Sequence, residues 1–496
     1  MAIAGIDIGT TGCKCTVYST DGRQLNEAYI EYEGVSSEGR ELDPAVVWED
    51  VRKVLYTASR DTEPLEAIGV TSFGEAFAML DENDRPLSNS ILYTDTRAEE
   101  MCSLLTGKTG REKIMDIAGV NPTSNFSISN IMWLKHYRPE RYKKAKKVLL
   151  YASYVVYMLT GEEVIDYSLA CRTMAFDRNR LEWSREILDA AEIDPALMPK
   201  PVPSGALVGT IRKELAAELG LPENVRVNAG CHDQIAAAVG TGSFTTDTAV
   251  NGAGTVECIT PIFTEPENPR IMMEGNYCIV PYVIPGTYVT YAYQNTGGAL
   301  LKWYRDQLAA AEARIIKESG RSVYDVFNSS MGEGISDLLI LPYFAGAATP
   351  YMDNSATGAI LGLTLETRSL DIYKALMEGV AFEDLINVQN IAKAGISVNR
   401  LISCGGGARS SYWTQLKADV LNIPIESLGS VQAGTMGSVM MAGAACGIYG
   451  SLEEAAEVFV KPGRLYEPDS SRNALYMEKF RKYERLYKAV QSVMAD

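Results

Sequence analysis

Residues 5–14 read GIDIGTTGCK. The apolar run at residues 3–8 carries one acid, Asp7, and breaks at Gly9. It passes the hydroxyls of Thr10 and Thr11, breaks again at Gly12, and resumes at residues 13–18 before Asp21-Gly22. Short apolar runs bounded in this way predict two strands joined by a small polar tip. Glycine puts no Cβ in the way, so backbone N–H groups and hydroxyls at such a tip can approach an anion closely. Asp7 beside the tip is a hard oxygen ligand, suited to Mg²⁺ carried on a phosphate. An ordinary hairpin turn with an incidental acid is the plain alternative.

The pattern returns later in the chain. Residues 248–251 predict a strand, Gly252-Ala253-Gly254-Thr255 a turn, and residues 256–260 a returning strand. Two such hairpins far apart predict a duplicated fold with a phosphate loop from each half. Between them, a strand at residues 225–229 runs into Gly230-Cys231-His232-Asp233-Gln234 and a small-residue helix at residues 235–239. An acid between strand end and helix start sits at the positive end of the helix, which favours the ionised form that a general base needs; simple capping is the alternative. Thr296-Gly297-Gly298 opens a helix whose start is bare of side chains, a ready contact for an anion or a ribose. A strand at residues 401–403 leads into Cys404-Gly405-Gly406-Gly407-Ala408, where glycines let a flat ring lie against backbone.

Taken in order, these stretches resemble the FGGY carbohydrate kinases of the actin-like ATPase superfamily. Asp7, Gly9, Thr10, Thr11 and Lys14 match the family's first phosphate loop. Residues 67–72 (AIGVTS), followed by Phe73-Gly74-Glu75-Ala76, match its sugar-contacting region. Glu75 stands where glycerol kinases have a substrate-binding Glu and xylulokinases a His. Tyr93-Thr94-Asp95-Thr96-Arg97 resembles a W-x-D-x-R element with Tyr for Trp. Residues 121–135 (NPTSNFSISNIMWLK) resemble the first signature, with Asn125 at its start and Asn130 where a Lys is expected. Gly230, Asp233, Ala236, Ala237 and Gly240 match a motif whose Asp is the catalytic base. Trp413, Gln415, Ala418 and Asp419 match the adenosine-side motif.

The resemblance implies an α/β protein of two ribonuclease-H-like (actin-like ATPase) domains with a cleft between them. Residues 1–245 would bind the sugar and supply the base; residues 246–496 would bind nucleotide and end in an amphipathic helix carrying Tyr476, Phe480, Tyr483, Tyr487 and Val490. The implied reaction is ATP-dependent phosphorylation of a hydroxyl of a small sugar or polyol, a ketopentose such as xylulose first, with another polyol, a hexulose or an aldonate as alternatives. Asp233 would be the base, and Glu75, Ala76, Asn125 and Gln234 would hold the acceptor. Gly9, Thr10, Thr11, Lys14, Gly254, Thr255, Gly298, Lys302, Gly406, Gly407 and Ala408 would hold ATP, and Asp7 the Mg²⁺. Two other classes stay open: an actin- or chaperone-like ATPase with no sugar acceptor, and a catalytically silent sugar-binding relative.

Composition narrows the field. A chain of 496 residues accommodates about two to four domains. Its 46% hydrophobic and 22% charged residues are those of a soluble globular protein. A net charge of −17 argues against partners such as nucleic acid or an anionic membrane. No apolar run nears the ~18 residues of a membrane span, and no leader pattern precedes the first strand. The nine cysteines are scattered without a CxxC and there are only two histidines, which argues against structural zinc and a disulfide framework and for reduced thiols in a cytoplasm. A homodimer is left open.

Overall fold

The computed structural model describes residues 1–33, 40–332, 334–428 and 432–494. The chain forms two compact units. One comprises Met1–Phe244, Cys278–Val289 and Gln432–Val460; the other comprises Thr245–Tyr277, Thr290–Val431 and Lys461–Asp496. The units are therefore not consecutive halves: two later segments return to the first.

The first unit is built on strands β1 (Ala2–Ile8), β2 (Gly12–Ser19), β3 (Gln24–Glu31), β4 (Leu65–Ser72), β5 (Leu207–Thr210) and β6 (Arg226–Asn228). Their order in the sheet is β5-β6-β4-β1-β2-β3. β1, β2 and β3 form an antiparallel meander, while β4 lies parallel to β1 and β6 parallel to β4. Ala2, Ile3, Ala4, Ile6 and Ile8 are all fully buried, as a central strand covered on both faces requires. The Pro44–Ser59 helix packs on β1 to β3 through Val47, Val51 and Leu55. It starts as the sequence predicts, with Pro44 in the first turn and Asp43 Oδ1 accepting from the Ala45 N–H at 2.8 Å.

The return of residues 432–460 to this unit has a steric cause. Gly5 and Gly69 are paired neighbours on β1 and β4. A Cβ on either would overlap the backbone of the Ala433–Ala445 helix at Thr435 or Ser438. The glycine pair is thus a shallow groove in which that helix lies. The same helix meets the Asp233–Gly240 helix backbone to backbone, Gly437 against Ala236 and Gly240 against Ala433. Small residues four apart on each helix allow this approach.

The second unit repeats the plan with β7 (Thr248–Ala253), β8 (Glu257–Phe263), β9 (Ala292–Gln294), β10 (Arg400–Cys404), β11 (Ile425–Ser427) and β12 (Arg464–Tyr466). β8 lies antiparallel to β7 and to β9, β10 parallel to β7, and β11 parallel to β10. An antiparallel edge strand closes each far side, β5 on β6 and β12 on β11. The duplication expected from the two hairpins is thus present in both sheets. One expectation changes: the terminal apolar stripe belongs to two helices, Ser470–Tyr483 and Leu486–Met494. The chain turns between them so that Tyr487 stacks on Tyr351, ring centres 4.3 Å apart, and donates to Asp353 Oδ2 at 2.7 Å.

Candidate active site

In the first unit, β1, β4 and the two-residue strand Cys231–His232 run parallel and end together, with Asp7 opposite Thr71 and Thr71 opposite Cys231. Ligands of open α/β sheets bind beyond such carboxyl ends. Three acids follow from this register: Asp7 within β1, Glu75 just past β4, and Asp233 at the first position of the Asp233–Gly240 helix. Lys14 is the cross-strand partner of Asp7 and also lies 3.8 Å from Glu27. At the hairpin tip the Gly9 N–H donates to the Gly12 carbonyl at 2.9 Å, with Thr10 half-buried and Thr11 exposed.

Asp233 is a carboxyl at the start of its helix. The side chain as a whole is 39% exposed, but its Oδ1 is out of solvent and has no hydrogen-bond partner. Burial and the carboxylate of Asp7 push its pKa up to about 7; Glu75 adds to the rise, while the Gln234 N–H and Arg172 oppose it. Asp7 rises to about 6 through burial, against the pull of Lys14. His232 Nε2 stands 3.3 Å from Asp233 Oδ1. Burial and the charge of Arg172 hold the imidazole well below its ordinary range, so it is neutral at physiological pH.

Glu75 does not face water. It is 6% exposed, held in a left-handed conformation at φ 66°, and its carbonyl accepts from Ser127 Oγ at 2.5 Å. Its Oε1 accepts from Arg172 Nε at 2.6 Å and also from Arg172 Nη2. The guanidinium lies over the Phe126 ring, 5.0 Å from its centre. Arg172 is the residue that sequence reasoning missed: it lies 97 positions from Glu75, and only packing joins them. Tyr93 was noticed only as a motif substitution. Partial burial, then the carboxylates of Glu75 and Asp233, raise its phenol. Gln234 and Asn125 are half-buried, and Asn125 Oδ1 accepts from Thr123. One expectation fails here. Ala76 is fully buried, so it supports the turn and offers no surface to an acceptor. Asn130, at the position where a Lys is expected, is 1% exposed within the Ser127–Tyr137 helix.

The second unit carries a cavity of about 760 Å³ lined by Gly254, Thr255, Gly298, Lys302, Gly406 and Gly407 among others. It opens at the carboxyl ends of β7 and β10, the counterpart of the strand ends that carry Asp7 and Asp233. Gly405, at φ 91°, turns the chain where a Cβ would sit 2.7 Å from the Ala253 carbonyl; at Gly406 a Cβ would meet nothing. Trp303, Tyr324 and Trp413 supply ring surface, and Lys302 and Arg409 supply charge. A polar wall comes from the Val323–Ser330 helix, where Asn328 Nδ2 donates to Ser410 Oγ at 3.0 Å and its Oδ1 accepts from the Tyr373 hydroxyl at 3.2 Å. Two expectations change. The helix start at Gly298 is not an open anion site, because the Gly298 and Ala299 N–H groups donate to the Gly254 and Thr255 carbonyls at 2.9 and 3.0 Å. Gly298 instead lets the helix seat on the hairpin tip. Ala408 is buried and does not line the cavity; its carbonyl accepts from Ser427 Oγ at 2.7 Å.

The cavity fits a nucleotide: its volume falls in the usual range for ligands of that size, roughly 300–1,000 Å³, and glycine backbone, rings and cations meet in it. The Asp7 carboxylate suits Mg²⁺, which keeps most of its waters and needs one or two protein oxygens. Among the described residues no group of three or more His, Cys, Asp or Glu forms a closed metal cage.

Acids at the strand ends of one unit and a nucleoside-sized cavity in a second unit of the same plan fit a phosphotransferase of the actin-like ATPase fold. The matches to known proteins narrow this further. The N-terminal domain of the FGGY family of carbohydrate kinases matches residues 2–240 and its C-terminal domain residues 249–446, and the chain belongs to that family. It is 28% identical to a xylulose kinase of Staphylococcus epidermidis over 100% of this chain and 98% of that one. It is 29% identical to a glycerol kinase of Halorhodospira halophila, over 96% and 94% respectively. The structure of a xylulose kinase from Rhodospirillum rubrum superimposes with a TM-score of 0.89 at 25% identity, covering 100% of both chains. The protein is an ATP-dependent kinase acting on a hydroxyl of a small sugar or polyol. Among the described residues no helix is long and apolar enough to cross a membrane.

Proposed function

We propose that the chain phosphorylates a ketopentose, xylulose before others, with Asp233 as the base. The observation that carries the base is Asp233 Oδ1: buried, without a hydrogen bond although His232 Nε2 lies 3.3 Å away, at a helix start, on a carboxyl whose pKa is about 7. The similarity to xylulose kinases supports the acceptor; the glycerol kinase relative keeps other polyols as the second choice.

On this reading the first unit binds acceptor and the second binds nucleotide. Bound ATP supplies the phosphoryl group, and Mg²⁺ offsets the charge on its phosphates. The residues of the chain do the rest. Gly406 and Gly407, with the rings of the second-unit cavity, hold the nucleoside; within the second unit the tip at Gly254–Thr255 and Lys302 offer donors to phosphate oxygens, and within the first unit the tip at Gly9–Thr11 and Lys14 do the same. Asp7 would hold the metal, directly or through water. Glu75 and Gln234 orient the acceptor by accepting and donating hydrogen bonds to its hydroxyls. Asp233 Oδ1 takes the proton of the attacking hydroxyl as its oxygen bonds to the γ-phosphorus and the bond from that phosphorus to the bridging oxygen breaks, with ADP as the leaving group. Nine free, buried cysteines support a reducing, cytoplasmic setting.

The test is a coupled ADP-release screen of the purified protein with Mg²⁺-ATP over pentuloses, hexuloses, polyols and aldonates. Xylulose should give the highest kcat/KM. ADP release that no acceptor changes would mean an ATPase and would sink the proposal.

A further inference from the structure

We propose that the Glu75–Arg172 pair makes this acceptor site select uncharged sugars and reject those bearing a carboxylate, with Glu75 as the residue that sets the choice. The inference rests on the reading of the Asp7–Glu75–Asp233 cluster as the acceptor site.

An arginine near an acceptor is the natural fork for a carboxylate, which it grips through two parallel N–H donors. Here the fork is already occupied. Nε and Nη2 of Arg172 both donate to Glu75 Oε1, the first at 2.6 Å. Neither partner can easily turn away. Arg172 is stacked over Phe126, and its stem passes so close to Gly74 that a Cβ there would lie 3.0 Å from Cγ. Glu75 is anchored by its left-handed backbone and by Ser127 on its carbonyl. The side chains are 14% and 7% exposed, so water screens the pair little.

With Arg172 neutralised, the remaining ionisable groups around the acceptor are mostly acids. Asp7 and Asp233 are carboxyls, His232 is neutral, and Lys14 is shared with Glu27. An incoming carboxylate would meet like charge and, among these described residues, no cation that is not already paired. A chain of hydroxyls would instead find carboxylate oxygens ready to accept. Selectivity of this kind comes from the repulsive element as much as from the attractive one. Glu75→Gln keeps the shape and an acceptor oxygen but removes the negative charge, so the positive charge of Arg172 is no longer offset and attracts a carboxylate.

The experiment uses the best neutral acceptor and the acid made by oxidising its non-phosphorylated terminal CH₂OH to COO⁻; for a pentulose this is the 2-keto acid. The two differ in charge at one end. The wild type should favour the neutral member by about tenfold or more in kcat/KM, and E75Q should move that ratio toward the acid by about tenfold or more. A wild type that uses both equally, or a folded E75Q whose ratio stays put, overturns the inference and leaves the kinase reading intact. Should E75Q not fold, the neutral amide of the acid gives the second measurement on the wild type, because it has the shape of the acid without the charge. The amide should be favoured over the acid by about tenfold or more in kcat/KM; equal values overturn the inference. If no sugar is phosphorylated at all, the acceptor-site reading fails and the inference falls with it.

Discussion

A base with a pKa of about 7 in place of 3.8 leaves a signature in the pH profile of kcat/KM. A group titrating at 7 is ionised to about 9% at pH 6 and about 91% at pH 8, so activity should climb about tenfold across that interval. An ordinary aspartate would be ionised throughout and the profile flat. The cause can be tested separately. After burial, the largest influence raising Asp233 is the facing carboxylate of Asp7. Removing that charge in Asp7→Asn makes ionisation of Asp233 easier, so its pKa falls and the acid limb moves to lower pH, whatever the drop in absolute rate from altered metal binding. Because the two acids face each other, the limb is an apparent value belonging to the pair. The assay is coupled ADP release at saturating Mg²⁺-ATP from pH 5.5 to 8.5, with Asp233→Asn as reference, whose turnover should be lower by roughly 10² or more. A flat profile between pH 6 and 8, or a limb that moves upward in Asp7→Asn, would refute the assignment of the base and of what tunes it.

Two further outcomes test the second unit. Gly406 has ordinary helical angles, φ −65° and ψ −37°, and open space where a Cβ would go. Gly406→Ala should therefore leave stability unchanged and push its methyl into the cavity, raising KM for ATP several-fold (roughly, by the value of one displaced close contact) with KM for the acceptor unmoved; steady-state kinetics with each substrate varied would show otherwise if the nucleoside lies elsewhere. Lys417 pairs with the fully buried Glu257 and is itself 3% exposed, while Glu257 Oε2 and Asp384 Oδ2 have no hydrogen-bond partner. Lys417→Met strips the cation from these carboxylates and should cost about 3–5 kcal/mol in urea unfolding; a loss below about 1 kcal/mol would contradict the pairing.

The parts legible beforehand are local ones. Both hairpins, the capped start at Asp43-Pro44 and the strand-to-helix junction at Asp233 are written in residues within a few positions of one another, through apolar spacing, turn glycines and capping oxygens. The misreadings share a cause of the opposite kind. Gly298 looked like an open helix start because nothing nearby announces that the Gly254 tip, over 40 residues earlier in the chain, takes its N–H. Ala76 and Ala408 stand in the right motifs, but which side of a turn faces out is decided by what packs beneath it.

Sequence by itself determined that the chain duplicates a strand–hairpin–strand plan and that each copy ends in a small-residue turn beside an acid or a glycine run, because turn chemistry and side-chain period act over a few bonds. Tertiary structure alone decided that Arg172 cancels Glu75, that Asp7 lifts Asp233, and that the 433–445 helix crosses back to lie on Gly5 and Gly69. Those are matters of which surfaces exclude water together, and charge and steric fit between distant segments exist only once they do.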